Sequence, residues 1–527
     1  MTRHRLTWWT VAALALATAF LLGWRATSGV VWPENVDLYR DMASARTMQS
    51  GLWLADPYYR GERIWYNPLV PAIGAVLGAT TGVSLPHVFT QGGAVLGLIG
   101  PLGFFVLARR LFGGRRATLS LLAFLFLTCG DWPNWAAATY SPWLMPMGFA
   151  QGLFYLALAR LVSAPDRGRG PRDAAIAGAW LGLVFLAHTA PAILFGAIAV
   201  GWMGGGGESR RGRWPAIALL LATAFVVSLP LSGTILFHYH LRTLNPLPTG
   251  WTSELLAREN LLPQVLGLLR PADLVSLLGL GATALRRRPP ARAHVTRWWL
   301  ASSVLLFAVG AASPWLDVAG LALPQVLPAH HFLFYVHGVR ALCFGHGAFL
   351  LALLLARAAG RMGLRRPSRR AFVALAATVL LCLVQAPVYL GREDFHYQRT
   401  RSLAWSAQPD RTATWEWIDR HARPTDVYYA APEDAMRIVA PAGAKVVLTD
   451  QYFSNPYVDY GERARAHEAI GSALDRCDRL ALASLLGRYG VTHLLLGHGA
   501  ADRRARCASE GARRRFASGR YRVYSLD

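Results

Sequence analysis

Five carboxylates, Glu34, Asp37, Asp41, Asp56 and Glu62, lie in one forty-residue stretch, VWPENVDLYRDMASARTMQSGLWLADPYYRGERIWYNPLV, from Val31 to Val70. Residues 1–390 hold thirteen Asp and Glu in all, so this single loop concentrates them. Gathered carboxylates can take a proton from an attacking hydroxyl, ligate a divalent cation, or stay solvated at a surface. Asp37 and Asp41 are four residues apart and share one face of a helix. Leu38, Met42, Ala45 and Met48 recur at helical spacing, which predicts an amphipathic helix over 37–49 lying on a membrane surface. Gly51 breaks it, and Asp56-Pro57-Tyr58-Tyr59-Arg60-Gly61-Glu62 and Trp65-Tyr66-Asn67-Pro68-Leu69 follow.

The elements that must position this loop are set by composition. The chain has 527 residues, 54% of them hydrophobic and 16% charged, more apolar surface than a water-soluble fold can hide. Apolar windows of about 20 residues, the length of a membrane-spanning helix, recur through the first 390 residues. The net charge of +24 sits in short Arg clusters between these windows, at 109–116, 167–172, 210–213, 286–297 and 357–370. That pattern signals membrane topology rather than a face for nucleic acid, which is not an expected partner. All five clusters are expected to be cytoplasmic. The stretch 68–85 then cannot be a complete span, and about eleven spans remain, including an uncleaved first helix with its N-terminus inside.

An odd number of spans puts the C-terminal part outside, with the acidic loop. Residues 391–527 hold 17 of the 30 acids and alternate strand-like runs (426–431, 444–450, 491–497) with helical ones (412–422, 478–490). The expected architecture is a polytopic α-helical membrane domain over 1–390, with its catalytic outer loop at 31–70, and an extracytoplasmic α/β domain over 391–527. Of the five cysteines, only Cys477 and Cys507, both in the tail, are placed to pair.

The order of phrases after the first apolar run resembles that of the GT-C superfamily of integral-membrane glycosyltransferases, in the branch of protein O-mannosyltransferases and aminoarabinose transferases. The phrases are an acidic motif, a helix ending Gln49-Ser50-Gly51-Leu52-Trp53-Leu54, then Tyr59-Arg60-Gly61-Glu62, then Asn67-Pro68-Leu69. They match over about forty residues, and the many-span architecture with an external tail extends the likeness to the whole chain. The resemblance implies a bacterial inner-membrane enzyme. It would move a sugar from a polyprenyl-phosphate donor to an acceptor glycan, lipid or protein on the outer side, with inversion. Its general base corresponds best to Asp37. The family often carries adjacent Asp-Glu, whereas Asn35 and Val36 separate Glu34 from Asp37 here, so Glu34 and Asp41 stay open as bases.

The resemblance also assigns donor-phosphate binding to late outer-loop His and Arg residues, carried here to His331 and Arg340, and Arg270 could meet phosphate too. Asp131, flanked by Trp132 and Trp135, is the expected second acid, for acceptor or metal; Asp56, Tyr59 and Glu62 contact acceptor or shape the loop. No cofactor is required by the sequence, and a divalent metal ion is left open; His238 and His240 are its weaker candidates. The rival from another class is a lipid or glycolipid transporter. It calls for acids within spans or internal repeats, and neither is evident. A non-catalytic relative of the same fold is the third reading.

Overall fold

The computed structural model describes residues 3–128, 139–163, 170–204, 210–250, 270–284, 291–318, 329–358, 367–497, 499 and 501–526. Among these, six helices are long and apolar enough, by length and composition, to cross a membrane: Thr7–Thr27, Leu85–Phe112, Trp214–His238, His294–Ala312, His330–Ala358 and Arg369–Leu390. On the last of these, Leu383 and Val384 are 66% and 70% exposed. Water would penalise such exposure, and hydrocarbon would not. The helix Leu69–Thr81, within the stretch not expected to cross, has 13 residues. At 1.5 Å per residue it reaches about 20 Å, short of a ~30 Å hydrocarbon core.

By contact the chain divides into two compact units: residues 1–28, 91–228 and 249–399 form one, and residues 29–90, 229–248 and 400–527 the other. The division differs from the compositional boundary at 390, because the acidic loop clusters with the tail.

In the first unit, small residues bring helix backbones into contact. A Cβ on Gly279 of the helix Pro271–Ala284 would meet the carbonyl of Cys343, and one on Gly347 of the helix His330–Ala358 would meet that of Val275. Between apolar helices, where burial in lipid supplies no driving force, such close approach and its dispersion contacts hold the pair together.

The second unit is built on a five-stranded sheet of β1 (Val427–Tyr429), β2 (Lys445–Val446), β3 (His493–Gly497), β4 (Arg513–Ser518) and β5 (Tyr521–Ser525), ordered β2-β1-β3-β5-β4. β1 pairs parallel with β2 and β3, and β5 pairs antiparallel with β3 and β4. Successive side chains alternate between faces. Val427, Tyr429, Leu494, Leu496 and Tyr524 pack on one side with Ile470, Leu474 and Leu486 of the helices Tyr460–Arg476 and Arg479–Tyr489. Tyr428, Leu495 and Val523 face the other way, into a core completed by Tyr58, Tyr59 and Trp65 of the acidic loop. One face of the tail sheet is therefore covered by the loop, which explains why the two cluster. The β4–β5 hairpin was not expected from the sequence.

The predicted loop helix forms, from Val36 to Gln49, but it is not a membrane-surface helix. Leu38 through Ala45, Thr47 and Met48 are all buried, so no face is left for lipid. Its neighbours are the helix Leu69–Thr81 and the turn Ala440–Ala442. Arg46 also ties it to Asp419 at 3.0 Å. Protein packing here takes the place that lipid was expected to fill.

Candidate functional site

The loop helix starts with a side-chain cap: Asn35 Oδ1 accepts the backbone N–H of Asp37 at 2.9 Å, satisfying one of the donors that a helix start leaves free. Asp37 thus sits in the first turn, where the helix dipole favours a negative charge. Its side chain is 43% exposed and lies 3.0 Å from Arg40 Nη1. Arg40 Nε donates to Asp41 Oδ1 at 3.1 Å, and the Asp41 side chain is 0% exposed. Burial pushes the Asp41 carboxyl up to about 7, against the pull of Arg40 and helped by the charge of Asp37.

Glu34 is held differently. One of its oxygens accepts from Arg401 Nη2 and Arg437 Nη1, each at 2.9 Å, and its side chain is 9% exposed. Its backbone N–H donates to Ser402 Oγ at 3.0 Å. Trp32 beside it packs on Trp415 at 4.7 Å between ring centroids.

Asp56 is fully buried and closes the turn after the helix. Its Oδ1 accepts from the N–H groups of Tyr58 at 2.6 Å and Tyr59 at 2.9 Å, and its Oδ2 accepts from Asn455 Nδ2 at 2.7 Å. Burial lifts this carboxyl to about 6, with those hydrogen bonds opposing. Lys445 Nζ, buried beside it, donates to the Asp56 carbonyl at 2.7 Å and to Thr47 Oγ1 at 3.2 Å. Burial lowers this ammonium to about 8. The Tyr59 hydroxyl meets Ser454 Oγ at 2.7 Å, and Arg463 lies over its ring at 3.9 Å. The Tyr239 hydroxyl donates to the Arg63 carbonyl at 2.6 Å and lies 3.4 Å from Glu62 Oε2.

The late His and Arg candidates belong to the first unit. His331 stacks on His188 at 5.3 Å and on His330 at 4.4 Å. Arg340 is ion-paired with Asp273, and its Nη1 is 2.6 Å from His337 Nδ1. Nine residues of α-helix separate His331 from Arg340, a rise of roughly 14 Å and about half a turn beyond two full ones. They therefore point to opposite sides of one helix, and one phosphate group does not bridge them. Arg270 precedes the helix Pro271–Ala284, and its carbonyl accepts the Asp273 N–H at 2.9 Å.

The structure thus brings Glu34, Asp37, Asp41, Asp56, Tyr59 and Glu62 into one unit and places Arg270, His331 and Arg340 in the other, where Arg340 pairs with Asp273. Asp131 lies outside the described residues. Among the described residues no three or more His, Cys, Asp or Glu are grouped to hold a metal ion. Sequence reasoning missed Arg40, Arg401 and Arg437 as partners of the acids. The i,i+3 spacing of Asp37 and Arg40 is a signal for the first; nothing local points to the other two.

The fold, long apolar helices with a small mixed sheet, is similar to that of solved glycosyltransferase structures. The oligosaccharyltransferase AglB of Archaeoglobus fulgidus, solved with an inhibitory peptide and a dolichol-phosphate, aligns with a TM-score of 0.56 at 12% identity, over 96% of this chain and 72% of that one. A second structure of that enzyme, with Zn and sulfate, aligns at 0.53 and 13% identity, over 95% and 70%. The mycobacterial arabinofuranosyltransferase AftD aligns at 0.54 and 14% identity, over 98% of this chain but 41% of its own length. No family model matches the sequence, and no curated protein matches it.

Proposed function

We propose that this chain is a membrane glycosyltransferase that moves a sugar from a polyprenyl-phosphate-linked donor to a hydroxyl of an acceptor glycan, lipid or protein on the outer side of the membrane. The observation that carries the assignment of its base is the unequal fate of three neighbouring acids. Glu34 is clamped by two guanidinium groups and Asp41 is sealed from solvent, while Asp37 keeps 43% of its side chain exposed. In the proposed step the acceptor oxygen bonds to the anomeric carbon as the bond from that carbon to the phosphate oxygen breaks. Asp37 takes the acceptor proton, and the lipid phosphate leaves as a stable anion. Attack opposite the leaving group inverts the anomeric centre. The family resemblance assigns receipt of the phosphate to His331 and Arg340, with Arg270 as a further candidate, since Arg is the best bidentate partner for it.

The shared fold with AglB, whose structure contains a dolichol-phosphate, supports a lipid-phosphate donor. The proposed topology has about eleven spans, a cytoplasmic N-terminus and an extracytoplasmic tail, in a bacterial inner membrane. The Cys477–Cys507 disulfide supports that side for the tail, because such bonds persist in oxidising compartments.

Asp37→Asn, expressed at the wild-type level in cells lacking the native copy, is expected to lower the glycosylated product at least about 100-fold, the usual contribution of a general base. An unchanged glycan and glycolipid profile would overturn the assignment.

A further inference from the structure

Arg40 lies between the half-exposed carboxylate and the buried one. Nη1 reaches Asp37 at 3.0 Å and Nε reaches Asp41 at 3.1 Å, while the Tyr66 ring covers the guanidinium carbon at 3.5 Å. Arg40 itself is 5% exposed. Among the described residues, Arg40 Nη2, Asp41 Oδ2 and the Tyr58 hydroxyl are buried with no hydrogen-bond partner. A guanidinium at this depth requires a counter-charge. One carboxylate would suffice, yet two compete for it.

We propose that Arg40 is a positioning residue: it orients Asp37 at the open end of the loop helix, Asp41 anchors it from behind, and the ionisation of Asp41 is coupled to the charge on Asp37 through the shared guanidinium. This rests on the reading of Asp37 as the base. With Asp41 ionised, Arg40 is divided between two anions; with Asp41 protonated, its charge belongs to Asp37 alone. Burial brings that change to about pH 7. The other titratable groups that face this cluster are the Tyr58 and Tyr66 hydroxyls. Burial raises the proton affinity of both, so they stay neutral in this range. The packed helix Leu69–Thr81 and the turn Ala440–Ala442 bring no ionisable side chain, while the turn Gln451–Phe453 brings Tyr452 and Lys445 Nζ reaches Thr47 further along the loop helix. Arg437, on the adjoining turn, is engaged with Glu34.

The test is infrared spectroscopy of the full-length protein in lipid nanodiscs, following the protonated-carboxyl band between pH 4 and 9. Asp41→Asn, which keeps an acceptor for Arg40 Nε, identifies the Asp41 band by its loss, and Asp56→Asn removes the neighbouring signal. Asp37→Asn is expected to move the Asp41 midpoint down by about half to one pH unit, and Arg40→Gln to move it up by at least about one, the scale of a nearby charge. Arg40→Lys, which keeps the charge but loses the fork, is expected to fall between wild type and Arg40→Gln and guards against misfolding of the latter. An Asp41 midpoint unmoved by Asp37→Asn overturns the coupling, even if that variant loses its glycan product. A shifted midpoint with an unchanged glycan profile instead upholds the coupling and removes Asp37 as the base.

Discussion

The acidic loop and the His-Arg cluster of the long helix His330–Ala358 both bury charge, but they compensate it over very different distances along the chain. Arg340 finds His337 one turn away and Asp273 on a packed helix. Glu34 is met by Arg401 and Arg437, and Asp56 by Asn455 and the backbone beside it, so partners come from more than 360 residues away. The cluster can form as soon as two helices pack. The loop takes its shape only when the tail folds onto it.

The largest effect that would break this contrast is at Asp56. Asp56→Ala leaves two buried N–H groups and Asn455 unsatisfied, and is expected to destabilise the loop and tail by about 4 kcal/mol. A fall in melting temperature and early proteolysis of the tail would show it. Glu34→Gln keeps an acceptor and loses the charge on two guanidinium groups, so about 2 kcal/mol is expected in the same assay. Asp273→Asn tests the other region. About 1 kcal/mol is expected there, the scale of a polar contact between helices in a bilayer. A cost above that of Asp56→Ala would reverse the comparison.

The subtlest test is pH. Asp41 and Asp56 bind protons more tightly folded than unfolded, at about 7 and about 6 against an ordinary 3.8. Between roughly pH 4 and 7 the folded state therefore holds more protons, and stability falls as pH rises through that window. Lys445 has the opposite sign: lowered from 10.5 to about 8, it adds stability as pH rises between these values. Melting curves across the range should show the decline, and Asp41→Asn or Asp56→Asn should flatten it.

Much of this was legible in the chain itself. Apolar windows and Arg clusters outlined the helices, and alternation marked β1, β2 and β3. The gathered acids single out the loop. The burial of the loop helix was not legible, because its covering partner at 435–442 comes from the far end of the sequence. A periodic pattern fits lipid and protein equally well. The β4–β5 hairpin escaped because β4 opens with Arg513-Arg514-Arg515, all exposed, and an edge strand that is solvated on its outer side has no apolar alternation to reveal it. The roles of Glu34 and Asp56 depend on Arg401, Arg437 and Asn455, and no local pattern connects residues so far apart.

Lys445 is the only lysine in the chain and is 3% exposed, with its ammonium turned onto the loop. A lysine-specific protease therefore has one peptide bond to cut in 527 residues, and an acylating reagent has one side-chain amine to modify. Both are hidden while loop and tail remain together, so the rate of either reaction is a built-in clock for their separation.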